Sequence, residues 1–272
     1  DVSTGNKFVL NSFDVQEVTN DLVAYYPLDA DGSRSLPEFN GSNNYVRGGN
    51  LNISSGSWSV SYWVYHDSLS GTMGHIIKPA VEDSWSGDLS RLLIRSAGSG
   101  SMLASVEAYA SNNQTTGSCF TATTWHNVVA TFDSSSSSNN FNIYVDNSLK
   151  ITLSASSITN SDTTISYGTS YGVVDNTSEM IDGLLHNIAW TSSVLTPTER
   201  TDVYNLGKDG DFRTIKTPTN YYNHNINAWA SGSGAIPDIV GDKNGTLSGT
   251  AQSLRSYVAT DSTDNNNDGD LK

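Results

Sequence analysis

Hydrophobic and polar positions alternate most clearly between residues 125 and 153 of the chain. Residues 125–133 and 141–147 are rich in β-branched and aromatic side chains, and their period of two predicts a strand in each. The residues between them carry no apolar side chain and suit a solvated hairpin loop. Asp146 and Asn147 tolerate positive φ, so we expect a tight turn into a third strand at residues 149–153.

The same reasoning predicts further short strands, which are separated by turns rich in Gly, Ser and Asn. They span residues 22–28, 45–47, 58–65, 75–78, 92–94, 102–109, 171–174 and 182–190. Many short strands without intervening helices favour an antiparallel sandwich over an α/β fold.

One short helix is predicted after the last of these strands, at residues 196–207. Thr196 can cap its N-terminus, Glu199 completes a capping box, and Pro197 suits the first helical position. Gly207 suits the left-handed position that ends a helix. We expect this helix to pack at the edge of the sandwich.

The composition narrows the classes of function. The chain has 272 residues, a formal net charge of −14, only 15% charged residues and a single cysteine, Cys119. Because Lys and Arg are few and unclustered, we expect no binding to nucleic acid or to an anionic membrane surface. No apolar run is long enough to cross a membrane, so membrane insertion is not expected. The polar, weakly charged composition is common among secreted and virion proteins, which predicts an extracellular or virion-surface location.

An ordered set of motifs spans about residues 21–207. They read YYPLD (25–29), FNGSNNYV (39–46), WSVSYWV (58–64), WHNVVATFD (125–133) and IDGLLHNI (181–188), followed by the helix. In this order they resemble laminin-G-like, concanavalin-A-like jelly-roll domains. The resemblance implies an all-β, concanavalin-A-like antiparallel β-sandwich (jelly roll) with one short helix after the last core strand. It also implies a carbohydrate- or protein-binding module, in some members with a structural calcium ion near the first strand.

Five segments are predicted on this basis. They are an N-terminal extension (1–20), the sandwich (21–207), a linker (208–224), a partial repeat of the opening strand (225–260) and an acidic, Asp/Asn-rich tail (261–272). The repeat rests on Trp229 and residues 236–247, which are similar to the start of a laminin-G-like module; chance similarity is the alternative. Residues 264–270 match the first half of an EF-hand loop, but we favour a solvated tail because the acid that completes such a loop is missing.

The resemblance implies a calcium site formed by Asp29, Asp31 and Asp182. Carboxylate oxygens at close spacing suit calcium, which takes six to eight oxygen ligands. Ordinary turn chemistry is the alternative, because Asp-Ala-Asp-Gly forms a good turn by itself. A calcium ion that binds only the folded state must stabilise it, so chelation with EDTA should lower the melting temperature. An unchanged melting temperature would exclude this site.

No catalytic residues are predicted. Concanavalin-A-like folds also carry glycoside hydrolases and polysaccharide lyases, and retaining hydrolases need two carboxylates about 5 Å apart. The nearest pair, Glu179 and Asp182, is three residues apart, which places the two acids on opposite faces of a strand. The five histidines are scattered along the sequence and are interpreted as structural: His66, His75, His126, His186 and His224.

A carbohydrate site is predicted in loops instead. Sugar recognition combines an aromatic ring against the apolar sugar face with polar partners for the hydroxyls. Trp85 lies in a polar loop with Asp83 and Asp88, and three tyrosines beside polar turns extend this surface: Tyr109, Tyr167 and Tyr171. The alternative for Trp85 is loop packing. Four other tryptophans fall on predicted strands and are expected in the core: Trp58, Trp63, Trp125 and Trp190.

The sequence therefore predicts a non-catalytic carbohydrate-binding or adhesion module on an extracellular or virion surface, with a cell-surface or environmental glycan as partner. The alternative is a structural decoration or assembly protein of a phage capsid or fibre, which contacts neighbouring virion subunits without a sugar ligand. An atypical polysaccharide-active enzyme is the third hypothesis. A homo-oligomer is compatible with each of them.

Overall fold

The computed structural model describes residues 35–51, 56–79, 90–106, 113–155, 164–170, 179–223, 235–248 and 254–256. Within these ranges two antiparallel sheets pack face to face. The first sheet contains β1 (Ser35–Asn40), β3 (Trp58–His66), β8 (Trp125–Phe132), β9 (Phe141–Val145), β10 (Ser148–Leu153), β12 (Asp182–Thr191), β13 (Asn220–Tyr222) and β16 (Leu254–Ser256). The second contains β2 (Tyr45–Arg47), β4 (Met73–Pro79), β5 (Ser90–Ala97), β6 (Ser101–Val106), β7 (Asn113–Ser118), β11 (Ser166–Tyr167), β14 (Ala235–Ile236) and β15 (Gly245–Ser248).

Some neighbouring strands are joined by hairpins, and others are joined by long connections. The first sheet runs β10-β9-β8-β3-β12-β1-β16, with β13 also paired to β12. The second runs β14-β15-β2-β11-β4-β5-β6-β7. These paired sheets confirm the antiparallel sandwich that the sequence predicts.

Alternation along β3 explains how the sheets pack. Val60, Tyr62 and Val64 are fully buried between the two sheets, whereas Ser59 and Ser61 lie on the opposite face. The same period on neighbouring strands builds one continuous core. A second, smaller core lies on the outer face of the first sheet, where Val203 of the helix meets Val129 and Ala189.

The predicted helix is confirmed as α1 (Pro197–Leu206). Thr196 Oγ1 accepts a hydrogen bond from the Glu199 amide, and the Glu199 carboxylate accepts one from the Thr196 amide. Gly207 follows with φ 79°, a conformation that favours glycine. Lys216 holds Glu199 from the other side, with its Nζ 2.9 Å from Oε1.

Most predicted strands are confirmed, and several were missed. β7 escaped prediction because its residues, Asn-Gln-Thr-Thr-Gly-Ser, include no apolar side chain. β1 and β11 are too short or too irregular to show a period of two. The predicted strands at residues 22–28 and 171–174 lie outside the described residues.

The interpretation of residues 208–224 as a linker is corrected by the structure. Phe212–Thr214 forms a 3-10 turn, and β13 pairs with β12 so that Tyr222 lies opposite Ile188. Tyr221 and Tyr222 are both buried, one in each core. Further along, β15 pairs with β2 and β16 pairs with β1. The sandwich therefore extends past residue 207, while the similarity between the two copies of the opening strand stays a prediction.

The two ends of the sandwich have different chemistry. β3 begins at Trp58 and ends at His66, a distance of about 26 Å along a strand, and the antiparallel β12 begins at Asp182 and ends at Thr191. We call the end with Trp58 and Thr191 the cavity end, and the end with His66 and Asp182 the histidine end. Among the described residues, no helix has the length and apolar character needed to cross a membrane.

Candidate functional site

A cavity of about 420 Å³ opens at the cavity end of the sandwich. Its volume falls in the range of about 300–1,000 Å³ that is common for small-ligand sites. Loops from both sheets form the walls, and most of their side chains are polar but uncharged. The polar side chains of the lining include Asn50, Ser57, Ser192, Thr219, Asn220 and Lys243.

Two tryptophans form the base of this cavity. The rings of Trp58 and Trp190 lie 5.6 Å apart, and each side chain is almost completely buried. Trp190 Nε1 donates to the Tyr167 hydroxyl over 2.9 Å, which fixes the indole in the core. The two rings at the base are therefore held rigidly in the core.

A buried carboxylate holds one wall in place. Asp238 accepts hydrogen bonds from the Tyr221 amide at 2.8 Å and from the Gly241 amide at 3.0 Å, and Asn220 Nδ2 donates to it at 2.5 Å. Burial opposes ionisation, but these hydrogen bonds outweigh it and hold the pKa of Asp238 below its usual range. The charged carboxylate thus orders the loop that carries Lys243 to the cavity.

The lining also contains a fixed amide, that of Asn50. Lys78 is fully buried, and its ammonium donates to Asn50 Oδ1 over 3.2 Å. Asn50 and Leu51 follow β2 and line the cavity. Nearby, Ser57 Oγ accepts a hydrogen bond from the Ser134 amide at 3.0 Å, which ties the wall to the β8–β9 loop. At the rim, Lys243 Nζ lies 3.3 Å from the exposed Asp242 carboxylate.

Most residues of the predicted carbohydrate site lie outside the described residues and stay predictions. These are Asp83, Trp85, Asp88, Tyr109 and Tyr171. Pro79, which follows Lys78, is the last described residue before the segment that contains Trp85. Val106, which pairs with Leu92, is the last described residue before the segment that contains Tyr109. Ser170, the residue before Tyr171, lies beside Gly74 near the histidine end.

Tyr167, the sixth predicted carbohydrate-binding residue, is a core residue instead. Its side chain is only 1% exposed, and its ring lies 5.6 Å from that of Tyr222. β11 is inserted between β2 and β4, which turns this ring towards the other sheet. Burial raises the pKa of its hydroxyl well above the usual value, as expected for a core tyrosine. The prediction that Tyr167 binds sugar is wrong.

The predicted calcium site has one described member. Asp182 is partly exposed at the start of β12, where its Oδ2 accepts a hydrogen bond from Ser68 Oγ over 3.3 Å. Asp29 and Asp31 lie outside the described residues. Across the ranges that the structure describes, no three His, Cys, Asp or Glu side chains come together as a metal site would require. Calcium binding stays a prediction.

The acid pair considered from the sequence is engaged elsewhere. Glu179 forms an ion pair with Arg95 at 2.7 Å, and it has φ 56° just before β12. Asp182 bonds to Ser68 instead. The two carboxylates therefore have separate structural partners.

Sequence reasoning missed a buried cluster at the histidine end. His66 Nε2 lies 3.0 Å from His75 Nε2, and His75 Nδ1 lies 3.0 Å from the Tyr62 hydroxyl. Both histidines are completely buried, although they belong to different sheets. The sequence could have predicted the burial of His66, because His66 lies two residues after Val64 and so on the same inward face of β3 as Tyr62 and Val64.

Comparison with solved structures finds several similar proteins. A proposed carbohydrate-binding protein from Bacteroides ovatus is 16% identical with a TM-score of 0.62; the match covers 83% of this chain but only 60% of that protein. A heptameric SAP-like pentraxin from Limulus polyphemus is 14% identical (TM-score 0.42, covering 61% of this chain and 83% of that one). The IT-sialidase CBM40 of Ruminococcus gnavus is 11% identical (TM-score 0.47, covering 61% and 96%).

Sequence comparison identifies the family. No curated protein matches the chain. A family model of laminin G type, described as the concanavalin A-like lectin/glucanases superfamily, matches residues 40–199, which is more than half of the chain. The matched span runs from the end of β1 into α1 and includes the central strands of both sheets. The chain therefore belongs to the concanavalin A-like lectin/glucanases superfamily.

Proposed function

We propose that this protein is a non-catalytic carbohydrate-binding domain and that the cavity beside Trp58 and Trp190 holds part of a glycan. The observation that carries the proposal is the cavity itself, in which uncharged amides and hydroxyls stand above a rigid aromatic base. The fold shared with the Bacteroides ovatus protein is consistent with this use.

The chemistry of the walls suits sugar hydroxyls. Each hydroxyl both donates and accepts, and Asn50, Ser192, Thr219 and Asn220 offer groups of both kinds around one space. A hydrogen bond contributes about 1 kcal/mol net, so several of them give a modest affinity that depends on shape. The acid pair considered from the sequence, Glu179 and Asp182, is engaged with Arg95 and Ser68, which favours binding without hydrolysis.

Blocking the cavity should abolish binding. Ser192 is exposed and lines the cavity, so Ser192→Trp should fill the space without disturbing the core. We expect at least a tenfold loss of affinity on a glycan array and in calorimetry, with an unchanged melting temperature. The matched control is Ser70→Trp, an exposed serine near the histidine end. Equal binding by wild type and Ser192→Trp would exclude the cavity as the site.

The predicted loop residues extend this proposal. Pro79 and Ser90 are the described residues on either side of the Trp85 segment. They pair with each other next to Lys78. We therefore propose that Trp85, with Asp83 and Asp88, contributes to the same glycan site. We also propose that the domain acts in adhesion at an extracellular or virion surface. The polar composition, with 15% charged residues, supports this location.

A further inference from the structure

Two asparagine side chains in the cavity have an orientation that the neighbouring charges dictate. The oxygen and nitrogen of an amide are normally assigned from their partners. A Lys ammonium only donates and an ionised carboxylate only accepts, so either partner fixes the amide without ambiguity. Asn50 faces an ammonium and Asn220 faces a carboxylate.

Asn50 lines the cavity, and the end of its amide that stays free is the amino group. Its Oδ1 accepts from Lys78 Nζ at 3.2 Å, so the other end of the amide is the NH₂ group. Within the described residues Nδ2 has no hydrogen-bond partner, and it is not among the buried polar atoms that lack one. Lys78 is fully buried and cannot follow Asn50 into a different arrangement without moving the core.

Asn220 presents the opposite group. Its Nδ2 donates to Asp238 Oδ2 at 2.5 Å, which leaves the carbonyl oxygen Oδ1 as the free end. Asp238 is itself held by the Tyr221 and Gly241 amides, so it cannot rotate to accept from elsewhere. Among the described residues, no donor reaches this Oδ1.

We propose that these two amides select a neutral saccharide: Asn50 donates to one sugar hydroxyl oxygen and Asn220 accepts the proton of another. This inference rests on the proposed function. A carboxylate or sulfate group offers only acceptors, so it would match Asn50 but leave the Asn220 carbonyl facing negative charge. The rim cation does not compensate, since Lys243 is paired with Asp242 and the chain carries a net charge of −14. Lys78 and Asp238 are positioning residues that act through the two amides.

Asn50→Asp tests the donor with almost no change of shape. An aspartate keeps an oxygen on Lys78 and forms an ion pair there, but its second oxygen replaces the amino group on the cavity side. We expect binding of neutral oligosaccharides to fall at least tenfold while the melting temperature is kept or raised. The variant should also gain affinity for chitosan oligosaccharides, whose ammonium groups donate. Asn147→Asp is the matched control, because Asn147 lies in the β9–β10 turn with φ 59°, which aspartate tolerates.

The probes are neutral gluco-, manno- and galacto-oligosaccharides, their uronic-acid counterparts and chitosan oligosaccharides, measured by calorimetry on the full chain. Loss of neutral-sugar binding in Asn50→Asp but not in Asn147→Asp supports the inference. If wild type binds a neutral sugar and Asn50→Asp binds it equally, the inference fails while the proposed function stands. Preference of wild type for uronic acids also overturns it. If wild type binds none of these probes, the proposed function itself fails.

Discussion

Lowering the pH from 7 to 5 should remove about 4 kcal/mol of the free energy of unfolding, because two buried histidines resist protonation in the folded state. Burial, with the neighbouring His126, lowers the pKa of His66 to about 3, against an ordinary value of about 6.5. Burial and His66 also lower the pKa of His75 well below that value. Each histidine contributes about 2 kcal/mol over this interval.

The sign follows from where the protons bind. A group whose folded pKa is depressed takes up protons first in the unfolded chain, so stability falls as pH drops below about 6.5 and continues to fall towards the folded pKa. The geometry adds a second cause: His66 and His75 share one hydrogen bond between their Nε2 atoms, and protonation of the imidazole that accepts it would put two donors face to face. Asp67, which favours the charged form of His66, is a weaker influence than burial.

The measurement is urea unfolding at a series of pH values between 7 and 5. His75→Gln keeps a polar partner for Tyr62 and His66 but does not titrate, so it should halve the slope. Asp238 and Glu199 do not titrate in this interval, because the pKa values of both lie below their usual ranges. A slope that is the same in His75→Gln and wild type would contradict the assignment.

A fragment that ends at residue 207 should not fold, although the sequence predicts the sandwich boundary there. The residues beyond it supply Phe212, Tyr221, Tyr222 and Ile236, all buried. Burial of each such side chain contributes about 1.5–3 kcal/mol, and their loss together exceeds about 6 kcal/mol. Small domains are stable by only about 5–15 kcal/mol, so we expect no cooperative thermal transition in this fragment.

The control for this experiment ends at residue 256 and retains every described residue. It should unfold cooperatively at the temperature of the full chain. Adding a peptide of residues 208–256 to the short fragment should restore the transition, because β13, β15 and β16 pair with strands that the fragment still contains. A sharp transition in the short fragment alone would show that the C-terminal strands are dispensable.

The sequence predicts the long strands of the fold better than the short ones. β3 and β8 were recognisable because each runs for eight or nine residues rich in β-branched and aromatic side chains. β13 was not, because it has three residues and all are buried, so it shows no alternation. Its Asn and Tyr residues, beside Pro218 and Thr219, look like a polar connection until their partners on β12 are known.

The candidate site was harder to predict than the fold. Its walls combine Asn50, Trp190, Asn220 and Lys243, which are far apart in sequence and meet only because both sheets end at the same place. The orientation of Asn50 depends on Lys78, a lysine that would be expected on the surface but is fully buried. Single aromatic residues in polar loops gave the sequence-based prediction, and Tyr167 shows the weakness of that criterion.

The pairing of the outer strands has a consequence for the order of folding. Ser35 lies opposite Ser256, and Tyr45 lies opposite Ser248, so both sheets join residues that are more than 200 positions apart. Such contacts close long loops, and proteins dominated by them fold in milliseconds to seconds rather than microseconds. During synthesis, β1 and β2 leave the ribosome long before their partners exist. Their edges therefore stay unpaired for many seconds. We expect the chain to be most prone to aggregation, and to depend most on chaperones, during this interval.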